Sequence, residues 1–600
     1  MQDDGMFQDA FPLGIPANSN IDKSKTGNGM TTVALKSAGH YIIINPQTNT
    51  IDDKKAWCEE RDGNVLSIHS DANGKQQISD EAIEEFLISP LIDKKILVTP
   101  ESFPRIIKAA AEQKMLPQLH KEYFCLLDES HCYASEKFRE MILNPLYYVF
   151  RFDRIALGSA TPFNYSHPRI AALQKYKLIY PKPFGHVNII NCNDALSTLH
   201  TFLTDRTYAG NVHIFLNSVT AISNIVASTK ITDIKIHCVD NEENRLKLGE
   251  SAKYLSMETN GSMAKCNSYT CRYDEGWDMF DDANATLFFV THKSIPHSMQ
   301  SISIKGVQSM GRLRMVKPNA IFHITSNYGL KDSDIPSFDQ YSEKAKLTAE
   351  SHVSYFNGFT KRMGFDNQTY KLVKPYVYKN KRDFKVIDPG KVDQHIYEIQ
   401  SRLEYANERT IALAWESRNF TTTQCYADAP NVDIKDVSTI EAKRRILNLL
   451  IQYDQNPECY QYGEANKVFS RLKTKHHLLI QCYQLFGPEG IEQLEYDNTK
   501  MKQKLIEHNN SQAHNKITQV LNTKYNINDN PSRASVKQFL NELYEEYGYY
   551  GTDGKIKKAV ATDLKTFGIK FDNDKTGCNN GKRESSLRIA SKDFCIKKAA

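Results

Sequence analysis

FCLLDESH, residues 124–131, is the stretch on which the fold is read. An uncharged apolar run, Phe124 through Leu127, ends in two adjacent acids, Asp128 and Glu129. A short apolar run of this kind is how a strand buried on both faces of a parallel sheet is written. Sheets of that class bind ligands outside the carboxyl ends of their strands. Two acids placed there suit a hard divalent cation such as Mg²⁺ and the polarising of a water. IALGSATP, at 155–162, repeats the apolar pattern about one βα unit later.

Outward from that stretch, strands and helices alternate. Strands are expected at 41–46 (YIIINP), 65–70 (VLSIHS), 96–100 (ILVTP), 124–129 and 154–160, with polar helical stretches such as 80–87 between them. Ahead of them lies SKTGNGMTT at 24–32. Gly27 and Gly29 allow a tight turn with inward-facing N–H groups, and the residues after them open a helix, an arrangement that favours phosphate. A glycine turn about a hundred residues before a carboxylate-tipped strand is the order a mononucleotide site requires.

A second α/β block is expected over 186–330, with strands at 187–191, 212–217, 234–239, 287–291 and 320–325 and a helix at 219–230. From 331 the pattern changes to long polar stretches of helical spacing, such as 393–407 and 439–453. Among them, TYKLVKPYVYKNKRDFKV at 369–386 interleaves tyrosine with lysine. That piece reads either as an amphipathic surface strand or hairpin, or as a place to stack bases and hold phosphates. Near the end, a helix is expected over 536–547. In 554–571, Ala559, Leu564, Phe567 and Ile569 are expected to face a core, with lysines facing out.

The order of these segments resembles that of the superfamily 2 helicases and translocases, the DEAD/DEAH-like group. SKTGNGMT resembles motif I, INPQ (44–47) and VTPES (98–102) resemble motifs Ia and Ib, DESH (128–131) matches the DExH form of motif II, and SAT (159–161) matches motif III. IFLNSV (214–219) resembles motif IV, YTCRYDEGWDM (269–279) motif V, and GVQSMGRLRM (306–315) motif VI. The resemblance implies two tandem RecA-like domains, 1–185 and 186–330. A mostly helical accessory region, 331–530, and a small basic winged-helix-like domain, 531–600, would follow.

It also implies ATP and Mg²⁺ as cofactors and a nucleic-acid partner, with DNA favoured over RNA. Thr26, Gly27, Asn28, Gly29, Met30, Thr31 and Thr32 would cradle the phosphates. Thr31, with Thr32 as the alternative hydroxyl, and Asp128 would hold the metal. Glu129 would act as general base, His131 would bridge towards motif VI, and Gln308 with Arg312 or Arg314 would complete the catalytic set from the second domain. Gly276 and Asp278 would face the nucleotide, and Thr99, Ser159, Thr161 and Thr270 would contact the nucleic acid or couple it to the cleft.

Two departures stand out. Met30 occupies the place of the motif I lysine, so that either Lys23, Lys25 or Lys36 substitutes or turnover is slow or absent; methionine neutralises no phosphate charge. In motif VI the family's last arginine falls on Met315, with Arg314 one position early. The function read from this is a nucleic-acid-dependent ATPase that unwinds or translocates. The alternative is a degenerate helicase fold that binds or scaffolds without turnover.

Composition agrees with a globular multidomain chain: 600 residues, 40% of them hydrophobic, exceed what one core supports. No apolar run is long enough to span a bilayer and the N-terminus lacks a signal-peptide pattern, so no membrane partner is expected. Twelve cysteines without a CxxC pair fit a reducing compartment, read as cytoplasm. The lysine-free motif I resembles helicase-like proteins of bacterial viruses, which implies a bacterial host cytoplasm and replication or other phage or host proteins as partners. The net charge is +5, and the last fifty residues carry 12 Lys/Arg against 6 Asp/Glu, a tail suited to nucleic acid or simply a solvated surface.

Overall fold

The computed structural model describes residues 5–60, 64–70, 74–206, 208–229, 231–257, 262–314, 316–378, 385–428, 440–574, 578–579, 582–583 and 585–593. Met315, Thr439 and part of the 369–386 stretch lie outside them.

Seven parallel strands form the first sheet: β1 (Ser19–Asp22), β2 (His40–Ile44), β3 (Val65–Ile68), β4 (Lys95–Val98), β5 (Tyr123–Asp128), β6 (Arg154–Ser159) and β7 (Gln174–Lys177), in the order β3-β4-β2-β5-β6-β1-β7. The central strand β5 is buried along its whole length, as its unbroken apolar run requires. Its two sides face different clusters. Cys125 and Leu127 pack with Ile42 and Val98, while Phe124 and Leu126 pack with Ile43 and Ala156. β6 lies between β5 and β1, pairing Asp128 with Gly158 and Ser159 with Asp22. The loops that follow β1, β5 and β6 therefore leave the sheet side by side.

The second sheet repeats the plan with β8 (His186–Asn191), β9 (Val212–Phe215), β10 (Ile234–His237), β11 (Cys266–Tyr269), β12 (Thr286–Thr291), β13 (Ala320–Thr325) and β14 (Thr421–Tyr426), in the order β10-β11-β9-β12-β13-β8-β14. Two parallel seven-stranded sheets with helices around them are the two tandem RecA-like domains expected from the sequence. The boundary at 330 moves. β14 pairs in parallel with β8 from residue 421 onward, and Trp415, fully buried, fills the core beside Phe289 and Phe420. Residues 331–428 thus belong to the same compact unit as both sheets, which runs Met1–Asp428 with Gln461–Gly463.

The stretch at 369–386, read as a strand or hairpin, begins within the helix Asn367–Val373, and after it Val377 forms an antiparallel bridge with Ile387. The other unit, Ala429–Tyr460 with Glu464–Ala600, is helical as expected. Helices Ile440–Gln455 and His477–Gln493 contribute to one core. A second core takes its side chains from helix Asn498–Lys524, helix Arg533–Tyr547 and the turn Ala561–Phe567. The hairpin of β15 (Ile569–Asp574) and β18 (Ser586–Lys592), with the short strands β16 (Cys578–Asn579) and β17 (Lys582–Arg583) at its tip, closes it. Ala559, Leu564, Phe567 and Ile569 are buried there. Among the described residues no helix is long and apolar enough to cross a membrane.

Candidate active site

A cleft of about 620 Å³ opens where the carboxyl ends of β1 and β5 face the second sheet. From the first sheet it is lined by Lys23, Gly27, Asn28, Gly29, Thr31 and Thr32 with Asp128 and Glu129. From the second it is lined by Gly276, Asp278, Gln308, Arg312 and Arg314. Gly27 and Gly29 have φ of 68° and 89°, the left-handed turn expected of them, and helix Met30–Lys36 starts directly after it. Gly27 has a second reason to lack a side chain, because a Cβ there would lie 3.2 Å from the Arg314 guanidinium.

Asp128 is buried at the tip of β5. One of its oxygens accepts from Lys23 Nζ at 2.7 Å, and the other accepts from the Thr31 hydroxyl. Burial by itself would raise the carboxyl pKa, but the Lys23 ammonium and the Thr31 hydrogen bond outweigh it and hold the carboxyl below its ordinary range. Glu129 takes a φ of 48°, uncommon for a residue with a side chain and of the sort found at functional sites. Its carboxylate lies 3.3 Å from Lys23 Nζ and 3.4 Å from the Gln308 amide. Lys23 is buried as well. Desolvation works against its charge, yet the two carboxylates prevail and raise its pKa.

Met30 borders the cleft but packs into the core. It is 1% exposed and packs in the core with Ile21, Ala34 and Ala156. Its sulfur lies so close to Gly158 of β6 that a Cβ there would come within 2.4 Å of it. Among the lysines named from the sequence, Lys25 lies over the Tyr180 ring and Lys36 over the Trp57 ring. Lys23 was one of three equivalent choices along the chain; in space it alone of the three lines the cleft.

The second sheet reaches across through its arginines. Arg314 donates to Asp278 at 2.7 Å, to the carbonyl of Gly311 at 2.7 Å and to the hydroxyl of Thr26 at 3.0 Å, so it clasps the glycine turn. Arg312 is buried and donates to the Gln308 carbonyl, the Gln308 side chain and the Trp277 carbonyl. Desolvation, with Arg314 close by, lowers its pKa to about 10.

His131 departs from the expected bridge to motif VI. Its Nδ1 meets Ser159 Oγ at 2.7 Å and its Nε2 donates to Glu275 at 2.9 Å. The physical reason is that motif VI is already engaged: Gln308 is spent on Glu129 and Thr161, and Arg312 on Gln308 and Trp277. Glu275 was not singled out from the sequence, since an acid after YTCRYD carries no signal of burial. Burial would raise its pKa, but His131 and Lys305, whose Nζ is 2.6 Å away, hold it well below the usual carboxylate range.

From there the contacts run on. Lys305 reaches Glu136 at 3.4 Å, and Arg139 joins Glu136 to Glu101 and to the carbonyl of Pro46. A continuous polar chain thus links Glu129, through Gln308, Thr161, Ser159, His131, Glu275, Lys305, Glu136 and Arg139, to the loops that follow β2 and β4. Thr99 and Thr270 stand apart from the cleft. They are 4% and 6% exposed, at the ends of β4 and β11, so neither side chain is presented at a surface.

The donor set fits a nucleoside triphosphate with a hard divalent cation. Hydroxyl and carboxylate oxygens of Thr31 and Asp128 face the same cleft as two ammonium groups, Lys23 and Lys54, the latter 3.3 Å from the Thr32 hydroxyl, and two guanidinium groups.

No protein-family model matches the chain, and no curated protein matches it. Among solved structures it is similar to S. cerevisiae Dbp5 bound to RNA and ADP BeF3, at 13% identity and TM-score 0.34, covering 52% of this chain and 80% of that one. A DEAD box protein from the hyperthermophile Methanococcus jannaschii gives 15% identity and TM-score 0.28, over 52% of this chain and 83% of that one. The yeast DEAD-box splicing factor Prp28 gives 16% and 0.20, over 61% and 81%.

Proposed function

We propose that the chain is a nucleic-acid-dependent ATPase of the superfamily 2 helicase type, unwinding or translocating along a strand, with DNA as the polymer. The observation that carries this reading is one constellation: Thr31, Asp128, Lys23 and Glu129 on one wall of the cleft, with Arg312 and Arg314 of the second sheet on the other.

In this reading Thr31 and Asp128 hold Mg²⁺, which when bound neutralises charge on the phosphoryl oxygens. Glu129 accepts the proton of the attacking water, and Gln308 orients that carboxylate from the second sheet. The guanidinium groups face the charge that develops on the transferred group, so turnover depends on the two sheets being closed together. The polar chain from Glu129 to Pro46 and Glu101 is the route by which that closure reaches the loops read as motifs Ia and Ib. We read the helices and hairpin within 531–600 as a winged helix and assign them a second nucleic-acid contact.

A specific observation favours the non-hydrolysing alternative: Met30, where a phosphate-binding lysine is expected, is a core residue. One experiment separates the two. ATP hydrolysis by the full chain is measured with and without single-stranded DNA, and with RNA beside it. The comparator is the Asp128→Asn, Glu129→Gln variant. Hydrolysis stimulated by DNA and lost in the variant is expected; equal rates for both proteins reduce the chain to a binding fold, and stimulation by RNA alone reassigns the polymer.

A further inference from the structure

Among the side chains facing the cleft, Lys23 is the one whose position conflicts with its place in the sequence. It precedes the glycine turn instead of following it, at the end of β1. A lysine at the first position of the helix would put its ammonium on the turn from the helix side. Here that position is methionine, committed to the core, and the ammonium arrives from the strand side. Gly158 makes the exchange sterically consistent. With no side chain at Gly158, β6 leaves room for Met30 Sδ, which a Cβ would meet at 2.4 Å, and for the stem of Lys23, whose Cδ would be 3.9 Å away. Strand register places the three together: Gly158 is opposite both Asp128 of β5 and Ile21 of β1.

We infer that Lys23 is the phosphate-binding cation of this cleft, taking over from β1 the role that a lysine at position 30 would have. The assignment rests on the nucleotide reading above. Nζ lies 2.7 Å from Asp128 and 3.3 Å from Glu129, on a flexible four-carbon stem anchored at the floor of the cleft. Those carboxylates keep the ammonium charged and aimed into the cleft; anionic phosphoryl oxygens entering the same space compete with them for it. The rival role is that of a structural counter-ion, which neutralises the buried Asp128 and the half-buried Glu129 and touches no ligand. Geometry on the carboxylate side is the same for both roles, and the number of phosphates on the ligand tells them apart.

The test is equilibrium binding of fluorescent ATP, ADP and AMP analogues to the full chain in EDTA, so that no divalent cation contributes. Lys23→Met is expected to weaken ATP and ADP by about tenfold or more, the worth of a charge-assisted hydrogen bond, while AMP affinity stays within about twofold. Lys36→Met, whose ammonium lies over Trp57, is expected to bind all three as the parent does. Should Lys23→Met alone fail to fold, Lys23→Met with Asp128→Asn removes the shorter and more buried of its two ion pairs and is read against Asp128→Asn by the same phosphate dependence. Unchanged ATP affinity, or an equal loss for ATP, ADP and AMP, overturns the assignment. A parent chain that binds none of the three removes the nucleotide reading itself, and the assignment with it.

Discussion

His323 shows what burial does to a single side chain. It sits in β13 with no exposed surface, accepts from the Trp415 indole N–H at 3.1 Å through Nδ1, and meets the Thr291 hydroxyl at 3.0 Å through Nε2. Desolvation lowers its pKa from 6.5 to about 3. The folded state therefore holds it neutral while the unfolded chain protonates below 6.5, so stability is lost as pH falls through that window. At pH 5 the loss is about 2 kcal/mol. Thermal melts of the parent chain are expected to fall between pH 7 and pH 5, and His323→Gln is expected to flatten that slope; an unchanged slope would remove His323 as its source. At this scale the sequence was legible where chemistry is concentrated. Two acids ending an apolar run announced Asp128 and Glu129, and glycines announced the turn. Lys23 was not separable from Lys25 and Lys36, because linear proximity to the turn is shared and only the strand direction of β1 aims one of them inward.

At the scale of elements, the strands that were read are the apolar ones, and those that were missed are short and polar: β1 (SNID), β7 (QKYK), β11 (CNSY) and β14 (TTTQCY). β11 is fully buried all the same, because its neighbourhood satisfies it. Asn267 donates to the Ala264 carbonyl at 2.7 Å and accepts from the Ala264 N–H at 3.0 Å. Periodicity measures hydrophobicity and does not register a polar group that finds its partner inside. β14 was hidden for another reason, since nothing local marks a strand that pairs with one far earlier in the chain. Its consequence is concrete. A fragment ending at 330 lacks β14, Trp415 and Phe420, leaving the edge of β8 and the face beneath Phe289 uncovered. That fragment is expected to aggregate on expression, whereas a fragment ending at 428 is expected to melt cooperatively, as followed by near-UV circular dichroism. Cooperative folding of the shorter fragment would show that β14 is dispensable.

For the whole two-sheet unit, the contacts that matter are the ones between sheets. Glu275 on the second sheet's side meets His131 of the first, and Lys305 meets both Glu275 and Glu136. All of these groups are buried, so removing one partner strands a charge. Lys305→Met is expected to cost about 3–5 kcal/mol in urea unfolding, and Lys305→Met with Glu275→Gln to recover most of it. If the double variant is no more stable than the single, the pair is not coupled. The same crossing explains why the cleft as a whole was legible from motif order while its wiring was not. Motifs say which loops meet, but which donor takes which acceptor depends on how Gln308 and Arg312 are already engaged.

β14 also sets a timetable for a chain under synthesis. It pairs with β8, and His186 and Thr421 touch across a sequence separation of 235. At a translation rate of about 5–20 residues per second, roughly 10 to 50 seconds separate the emergence of the two strands. Throughout that interval β8 presents an open hydrogen-bonding edge to any other extended segment nearby. The fold is one that a cell must shelter while it is being made, and slower translation over 331–420 lengthens the exposure.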